Sequence, residues 1–514
     1  MAQKYFGVMT VNITGVELVI VNLKTHKSLE KVSKDINLGD DIYRNRPVQF
    51  ESVNRLVEAL TGFIQILHDY DVENYQLWGS QGLSQAINAD FIADQFYLHT
   101  GLEINWLSIS DEAYYRNQNI SLELEKQQEN VPEIVYLVGI TSGNTSITRF
   151  DNGKFVTSTN FSLGPIKIAE DLDSLRRSAP NSIGVLNDYI DSKLKDFDRG
   201  GQVTLLPDNN KETQVILLGT SSIKKMVAEY THDSTEKVVS INVFRDLLDD
   251  IVDASDQYLI EQLMIHESAT PLVLPELLLT RRILQLTNAK TLRFSDSSVI
   301  DGVVNNEEVA LGFSKHDFSN QTIKMAVNLA NHYNVEPVHR EIVTKFARHL
   351  FNQLKPLHML GKREAVLLEV ASILHDVGNY ISVHSHYVHS EYIIRNSDII
   401  GLSQEEKEIV AAIAKYHSAT TPSADLSHFS QISAENRRLI SKLAAILRLV
   451  DALDDDRQQK IEKISVSIKT HHVIISAYSN ANLAYENWVF NSKSQFFQET
   501  YGLKPVLKQK GVKS

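Results

Sequence analysis

One pair of neighbouring side chains is suited to holding a divalent ion: His375-Asp376, in the stretch VASILHDVGNY. An imidazole and a carboxylate side by side can share one cation, the oxygen favouring Mg²⁺ or Mn²⁺ and the nitrogen adding affinity for transition ions. Upstream, His339 lies in HREIVTKFARHLF, and downstream Asp451 lies in ILRLVDALDD, each among apolar residues. A carboxylate facing an apolar stripe is expensive unless it is partnered, and a metal would be that partner. The order of His339, His375, Asp376 and Asp451 therefore makes a candidate ligand set for Mg²⁺ or Mn²⁺. The alternative is a metal-free helical domain whose histidines are surface residues or satisfied core residues. His384 and His386 receive no role. The other carboxylates of DALDDD and RDLLDD stand at helical spacing and read as solvated helix faces.

These residues need a helical frame, and the text supplies one. From Ile323 to about Asp454 nearly every segment carries apolar residues at helical intervals, whereas the preceding EEVALGFSKHDFSNQT, after about Asn305, reads as polar and irregular. Before it the pattern differs. YFGVMTV and GVELVIVNL form a hairpin around Asn12 to Gly15, and helical VNRLVEALTGFIQILHDY, strand-like YQLWGS, a helix from Asn88 to Thr100 closed by Gly101, and strand-like EINWLSIS follow. A second opening of the same kind, EIVYLVGITSGNTSITRFDNGKFVTSTNFSLG, leads to helices and the strand QVILLGTSS. Alternating strands and helices predict an α/β class, and the two similar openings predict a duplicated unit. The end, KISVSIKTHHVIISAYSN, returns to strand alternation before a short helix and a basic KPVLKQKGVKS that reads as a frayed tail. Domains are expected at 1–130, 131–310, 320–457 and 458–514.

Composition narrows the function classes. With 514 residues, 43% hydrophobic and 22% charged, the chain has material for several cores, and its 22 Gly and 11 Pro argue against a collagen-like or low-complexity chain. Zero Cys removes disulfides, thiolate zinc sites and a cysteine nucleophile. Lys and Arg number 51 against 64 Asp and Glu, and the net charge of −13 disfavours binding to a nucleic acid duplex. No apolar run approaches the length of a membrane span, and the chain reads as cytoplasmic.

The H…HD…D order resembles the HD-domain phosphohydrolases, in which a metal activates water against a phosphate ester or anhydride. His389 and His417 fall where some of these domains place further metal- or phosphate-binding histidines. Over almost the whole chain there is a second resemblance. LHDVGNYIS, HSHYVHSEYIIRNSDIIGLSQEE and AAIAKYH, together with the order of regions, are similar to the exopolyphosphatase and guanosine pentaphosphatase proteins of the Ppx/GppA family. That resemblance implies two actin-like (ribonuclease H-like) α/β subdomains followed by an all-α HD-type domain, and a homodimer. It also implies Mg²⁺-dependent release of the terminal phosphate of polyphosphate or guanosine pentaphosphate.

The same resemblance assigns roles in the N-terminal half. Glu112 in SISDEAYY matches the family's general base, a carboxylate that would take the proton of an attacking water. Asn144 and Thr145 lie in the second hairpin turn, where amide and hydroxyl donors would meet phosphate, and Lys167 in LGPIK supplies a cation. Other family positions are altered. The opening loop has Thr10 for an acid, Asn12 for a glycine and Glu17 for an arginine; Ser84 replaces a second arginine; and the second hairpin lacks the family's carboxylates. Fewer cations and a loop closed to backbone approach weaken a phosphate cradle. Three activities are open at this point: an exopolyphosphatase-type hydrolase acting through Glu112, a metal-dependent hydrolase of a nucleotide or alarmone acting through the helical domain, and a non-catalytic phosphate-ligand sensor.

Overall fold

A computed structural model describes residues 4–43, 46–127, 131–141, 143–169, 182–194, 211–218, 221–232, 238–252, 254–265, 267–422, 425 and 429–512. The chain divides into two compact units, Met1–Phe318 and Ser319–Ser514.

In the first unit β1 (Tyr5–Asn12), β2 (Gly15–Asn22), β3 (Lys27–Asp35), β4 (Tyr75–Gly79) and β5 (Ile104–Trp106) form a sheet of order β3-β2-β1-β4-β5. The hairpin strands are antiparallel, and β4 and β5 run parallel to β1. A second sheet contains β6 (Ile134–Ile140), β7 (Thr145–Asp151), β8 (Lys154–Phe161), β9 (Thr213–Leu218), β10 (Val238–Ser240) and β11 (Thr291–Ser295), in the order β10-β11-β9-β6-β7-β8. Removing the edge strand β10 leaves the pattern of the first sheet, three antiparallel strands and then two parallel ones. This is the duplicated α/β unit expected from the two similar openings.

Helix α1 (Phe50–Asp69) lays Val53, Leu56, Leu60, Phe63 and Leu67 into the core of the first sheet, the spacing of a single apolar stripe. Helix α2 (Ala89–Thr100) ends at Gly101, whose φ of 71° supplies the left-handed cap. The strand expected through SIS stops early. Ser108 and Asp111 cap each other, Ser108 N–H and Oγ–H donating to Asp111 Oδ2 at 2.9 and 2.7 Å and Asp111 N–H to Ser108 Oγ at 3.1 Å, and this starts helix α3 (Ile109–Gln127). A long apolar helix, α4 (Thr270–Leu286), packs on the second sheet. The break expected near Asn305 is not there either: Ser298 and Asp301 cap helix α5 (Val299–Ala310), which runs through Asn305 against α3.

The second unit holds α6 (Ser319–His332), α7 (Pro337–Gln353), α8 (Lys362–Leu374), a 3-10 turn (Val377–Tyr380), α9 (His386–Arg395), α10 (Gln404–Lys415) and α11 (Ala434–Asp451). Then come β12 (Lys463–Ile468), β13 (His472–Tyr478), α12 (Ala484–Tyr501) and β14 (Lys504–Lys510). The region expected as a separate tail from 458 instead shares one core with the helices, because Ile464, Val473, Ile475, Phe490, Phe497 and Leu507 pack with the apolar faces of α7, α8, α10 and α11. The basic run KPVLKQK is not frayed: it is β14, paired in parallel with β13 from Lys504 to Lys510. Among the described residues, no helix is long and apolar enough to cross a membrane.

Candidate functional site

The N-terminal candidates meet only in part. Glu112 is buried on the first turns of α3, where its Oε1 accepts from Gln81 N–H at 3.0 Å and its Oε2 from Arg116 Nη2 at 3.2 Å. Asn144 Nδ2 donates to Gln81 Oε1 at 3.2 Å, so Glu112, Gln81 and Asn144 form one cluster between the two sheets. Thr145 is completely buried at the start of β7, and its hydroxyl donates to Leu163 O at 2.7 Å, a contact that pins the hairpin rather than one offered to a ligand. Lys167 is exposed and joins none of these hydrogen bonds. The opening loop is occupied by its own side chain. Asn12 Oδ1 accepts from Thr14 N–H at 2.7 Å, Thr14 Oγ1 at 2.6 Å and Gly15 N–H at 3.0 Å, the donors that a phosphate would need there. Gly219 and Thr220, where the family resemblance places a second glycine-rich loop after Leu218, and Ser142 of the second turn, lie outside the described residues.

In the second unit all four candidate metal ligands converge. His339 comes from the first turn of α7, His375 caps the end of α8, Asp376 follows it and Asp451 ends α11. The ends of three helices are thus brought together by the apolar faces behind them. Asp451 Oδ1 lies 3.4 Å from His339 Nε2 and 3.6 Å from His375 Nε2, and Asp376 Oδ2 lies 4.0 Å from His339 Nε2. All four residues are at most 7% exposed.

Two further histidines extend the cluster across Asp376. Its Oδ1 is 3.4 Å from His386 Nε2 and 3.9 Å from His417 Nε2, and 3.8 Å from His375 Nε2. The groups His339–His375–Asp376 and Asp376–His386–His417 each bring three ligand atoms within 4.8 Å of one another, so Asp376 is common to both. The sequence singles out His417 but not His386, which takes the place expected of His389; the latter joins neither group. No linear spacing marks His386: the 3-10 turn that follows Asp376 returns the chain so that the first residue of α9 faces the carboxylate.

The hydrogen bonds behind the rings set their tautomers. His375 Nδ1 lies 2.8 Å from Ser372 O, His417 Nδ1 bonds Ala414 O, and His386 Nδ1 is 3.3 Å from Val383 O. A carbonyl only accepts, so each Nδ1 carries the proton and each Nε2 turns a lone pair into the cluster. His375 Nε2 is buried with no hydrogen-bond partner. His386 Nε2 and His417 Nε2 face each other at 3.1 Å, two acceptors that need a shared cation or proton between them. His339 is oriented by Asp454, whose Oδ2 is 2.9 Å from Nδ1. Asp454 is almost wholly buried, which corrects its reading as a solvated helix-face acid; it stands three residues after Asp451, in the turn that follows α11.

Charge in the cluster is balanced by nearby cations. Arg457 Nη2 is 2.6 Å from Asp376 Oδ2 and Lys493 Nζ is 2.6 Å from Asp451 Oδ2, so a cation holds one oxygen of each carboxylate and Oδ1 of each is left to the histidines. Burial would lower the pKa of His339, but its bonds to Asp451 and Asp454 outweigh that and hold it up at about 10. His417 is pushed down to about 3 by burial and is a neutral ligand. Against the cost of burial, the Arg457 guanidinium helps to hold Asp376 below the usual carboxylate range, and Lys493 and the hydrogen-bonded His339 do the same for Asp451. Anionic carboxylates, a neutral His417 and the partnerless buried Nε2 of His375 fit a divalent cation bound through N and O donors, which on binding would displace the proton that His339 shares with Asp451.

Comparison with known proteins agrees with the order of the units. A family model described as Ppx/GppA phosphatase family matches residues 19–310, and one described as Ppx/GppA phosphatase, domain III, matches residues 322–499. A guanosine-5'-triphosphate,3'-diphosphate pyrophosphatase of Vibrio atlanticus is 22% identical over 445 residues, covering 82% of each chain. The protein of the same name from Photobacterium profundum is 20% identical over 452 residues, covering 86% of this chain and 85% of that one. Among solved structures, an Aquifex aeolicus member of the Ppx/GppA protein family superposes with a TM-score of 0.50 at 14% identity, over 61% of this chain and 99% of that one. At that identity the likeness speaks for the fold alone.

Proposed function

This chain belongs to the Ppx/GppA phosphatase family, whose members are phosphoanhydride hydrolases, and we propose that it hydrolyses its phosphoanhydride at the HD-type His/Asp cluster of its second unit rather than in the actin-like cleft. The observation that supports this is the convergence of six ligand side chains, His339, His375, Asp376, His386, His417 and Asp451, with three Nε2 lone pairs turned inward. His339, His375, Asp376 and Asp451 would hold one Mg²⁺ or Mn²⁺, and His386 and His417, with Asp376 shared, a second. A divalent ion there supplies Lewis acidity toward a phosphoryl oxygen and a nucleophilic water at neutral pH.

The protein's own groups do the rest. Asp454, Ser372 O and Ala414 O keep three rings from rotating, so no reorganisation is needed when a ligand arrives. Arg457, 44% exposed at its side chain, stands at the solvent edge of Asp376 and can transfer its fork to a substrate phosphate. Its φ of 56° is left-handed, and Gln459 beyond it is also left-handed at 51°, a strained turn fixed by Gln459 N–H to Asp454 Oδ1 at 2.8 Å. The carboxylate that orients His339 thus also sets the position of Arg457.

The substrate class follows the family and its named relatives: polyphosphate, or a nucleotide phosphoanhydride of the guanosine pentaphosphate kind. A second reading places the chemistry at Glu112, which is buried beside Gln81 and Asn144 as a general base would be. Both its oxygens are engaged, however, and Asn12 fills the adjoining loop. The test is phosphate release by the purified chain from polyphosphate and from guanosine pentaphosphate with Mg²⁺ or Mn²⁺, comparing wild type, Glu112→Gln and Asp376→Ala. Loss in Asp376→Ala with retention in Glu112→Gln is the expected result. The reverse result moves catalysis to the actin-like cleft, and no release by any of the three, with all folded, makes the chain a ligand sensor.

A further inference from the structure

Arg448 stands on α11 one turn before Asp451, 6% exposed, and among the described residues no carboxylate pairs with it. Burial lowers its pKa only to about 10, so it is a cation at neutral pH. A buried guanidinium is costly unless hydrogen bonds replace its water. Those it makes all go to the backbone: Nη1 donates to Tyr416 O at 2.8 Å, to Ser418 O and to Thr420 O at 3.2 Å. Its Cζ lies 5.9 Å from the ring centroid of Phe496 on α12, close enough for the ring face to attract the charge.

These carbonyls bracket His417. Helix α10 ends at Lys415, so Ser418 O and Thr420 O lie beyond the last carbonyls that a helix end leaves open, and the contact is more than a cap. The chain before His417 is held in other ways. Tyr416 is wholly buried, its ring edge-on to Phe429 with centroids 5.7 Å apart, and its N–H bonds Ala412 O at 3.0 Å. After His417, Ser418, Ala419 and Thr420 belong to no helix or strand and are half-buried or exposed. One guanidinium gathering the carbonyls of residues 416, 418 and 420 fixes the backbone direction there, and with it the direction in which the imidazole leaves the chain.

We propose that Arg448 is a positioning residue for the metal position at His386 and His417: by holding the carbonyls on both sides of His417, it aims that imidazole at Asp376 and His386 before any ion arrives. The inference rests on reading the cluster as a metal centre. Because Asp451 ends the same helix, α11 supplies a ligand to one position and the frame of the other.

The test compares the full wild-type chain with Arg448→Met, which keeps the bulk and removes the donors, and with Arg448→Lys, which keeps the charge without the planar fork. Hydrogen exchange of the EDTA-stripped chains comes first. Arg448→Met should exchange the amides of residues 416–421 about tenfold faster, while 434–447 of α11 stay as in wild type. Calorimetric titration with Mn²⁺ should then show the ion at His386 and His417 weakened about tenfold and the ion at His339, His375 and Asp451 unchanged. If Arg448→Met does not fold, Arg448→Lys decides, and it should show the same pattern at about threefold. The proposal is overturned if the folded variant exchanges residues 416–421 as wild type does, or if both Mn²⁺ positions weaken alike, which a general loss of α11 packing would produce. Failure of the metal reading shows separately, as no Mn²⁺ binding by wild type, and the exchange of the stripped chains still decides whether Arg448 holds the segment around His417.

Discussion

Gly378→Ala is the substitution that should split the metal cluster most directly. Gly378 lies in the 3-10 turn just after Asp376; its N–H donates to Ser390 Oγ at 2.9 Å, and that hydroxyl donates to His375 O at 2.6 Å. A Cβ at 378 would stand 2.0 Å from His386 O, 2.5 Å from Ser390 N and 2.9 Å from His389 C, all of them backbone atoms of α9 that no rotamer change can clear. To reach ordinary contact at 3.4 Å the start of α9 must retreat from the turn by about 1.4 Å. His386 Nε2 is 3.4 Å from Asp376 Oδ1, and a shift of that size far exceeds the roughly 0.2 Å within which ligand distances must hold. Overpacking costs about 1–3 kcal/mol of stability, with about 1 kcal/mol more for a stretched Gly378–Ser390 bond. Calorimetric titration with Mn²⁺ is the assay, alongside thermal unfolding. Wild type should bind two ions, whereas Gly378→Ala should keep the position at His339, His375 and Asp451, lose the one at His386 and His417, and melt at a lower temperature. An unchanged stoichiometry, affinity and Tm in the variant would refute both the steric argument and the division of the cluster.

Three other outcomes follow from the same structure. Arg457→Ala should raise KM for the phosphate substrate about tenfold, the worth of one charge-assisted hydrogen bond, while Mn²⁺ affinity stays level or tightens because a competitor for Asp376 is gone; steady-state kinetics with Arg457→Lys as partial rescue checks this. Glu276, buried on α4, is pushed up to about 7 by desolvation that the Ser222 hydroxyl at 2.6 Å only partly offsets. The unfolded chain releases this proton near 4.5 and the folded one near 7, so folding stability should fall as pH rises through that window, by up to roughly 3 kcal/mol. Glu276→Gln should remove that slope in denaturant titrations between pH 4.5 and 8. Gly302→Ala should lower Tm, since its Cβ would meet Tyr115 O at 2.4 Å where α5 crosses α3; about 1–3 kcal/mol is expected from such overpacking, and an unchanged Tm would contradict that close approach.

Much of the fold was legible because it rests on local periodicity. The hairpin around Asn12 to Gly15, the apolar stripe of α1 and the Gly101 cap were all readable within short windows of sequence. Where the reading slipped, a cap outweighed propensity: Ser108 with Asp111 ended the strand run of EINWLSIS, and Ser298 with Asp301 carried a helix through the polar text around Asn305. The basic end looked frayed because its apolar residues, Val506 and Leu507, are few; their pairing with β13 is a contact with a distant partner. At the site, Asp454 was within reach, since it stands three positions after Asp451, just past the end of the same helix. Asn12 was recognised as a departure from a phosphate loop, but its use of the loop's own donors shows only in the folded chain.

By itself the sequence determined the kinds of chemistry available: nitrogen and oxygen ligands with no thiol, two similar α/β openings, a histidine-rich helical region, and the four residues His339, His375, Asp376 and Asp451 in one helical frame. Only the tertiary structure decided that His386 and not His389 faces Asp376 and that Arg457 and Lys493 each hold one oxygen of the two carboxylates. The reason is physical. Helical and strand periods are set by neighbours a few residues apart and can be read along the chain, whereas a ligand set is closed by helix ends that meet only after apolar faces far apart in sequence have packed into one core.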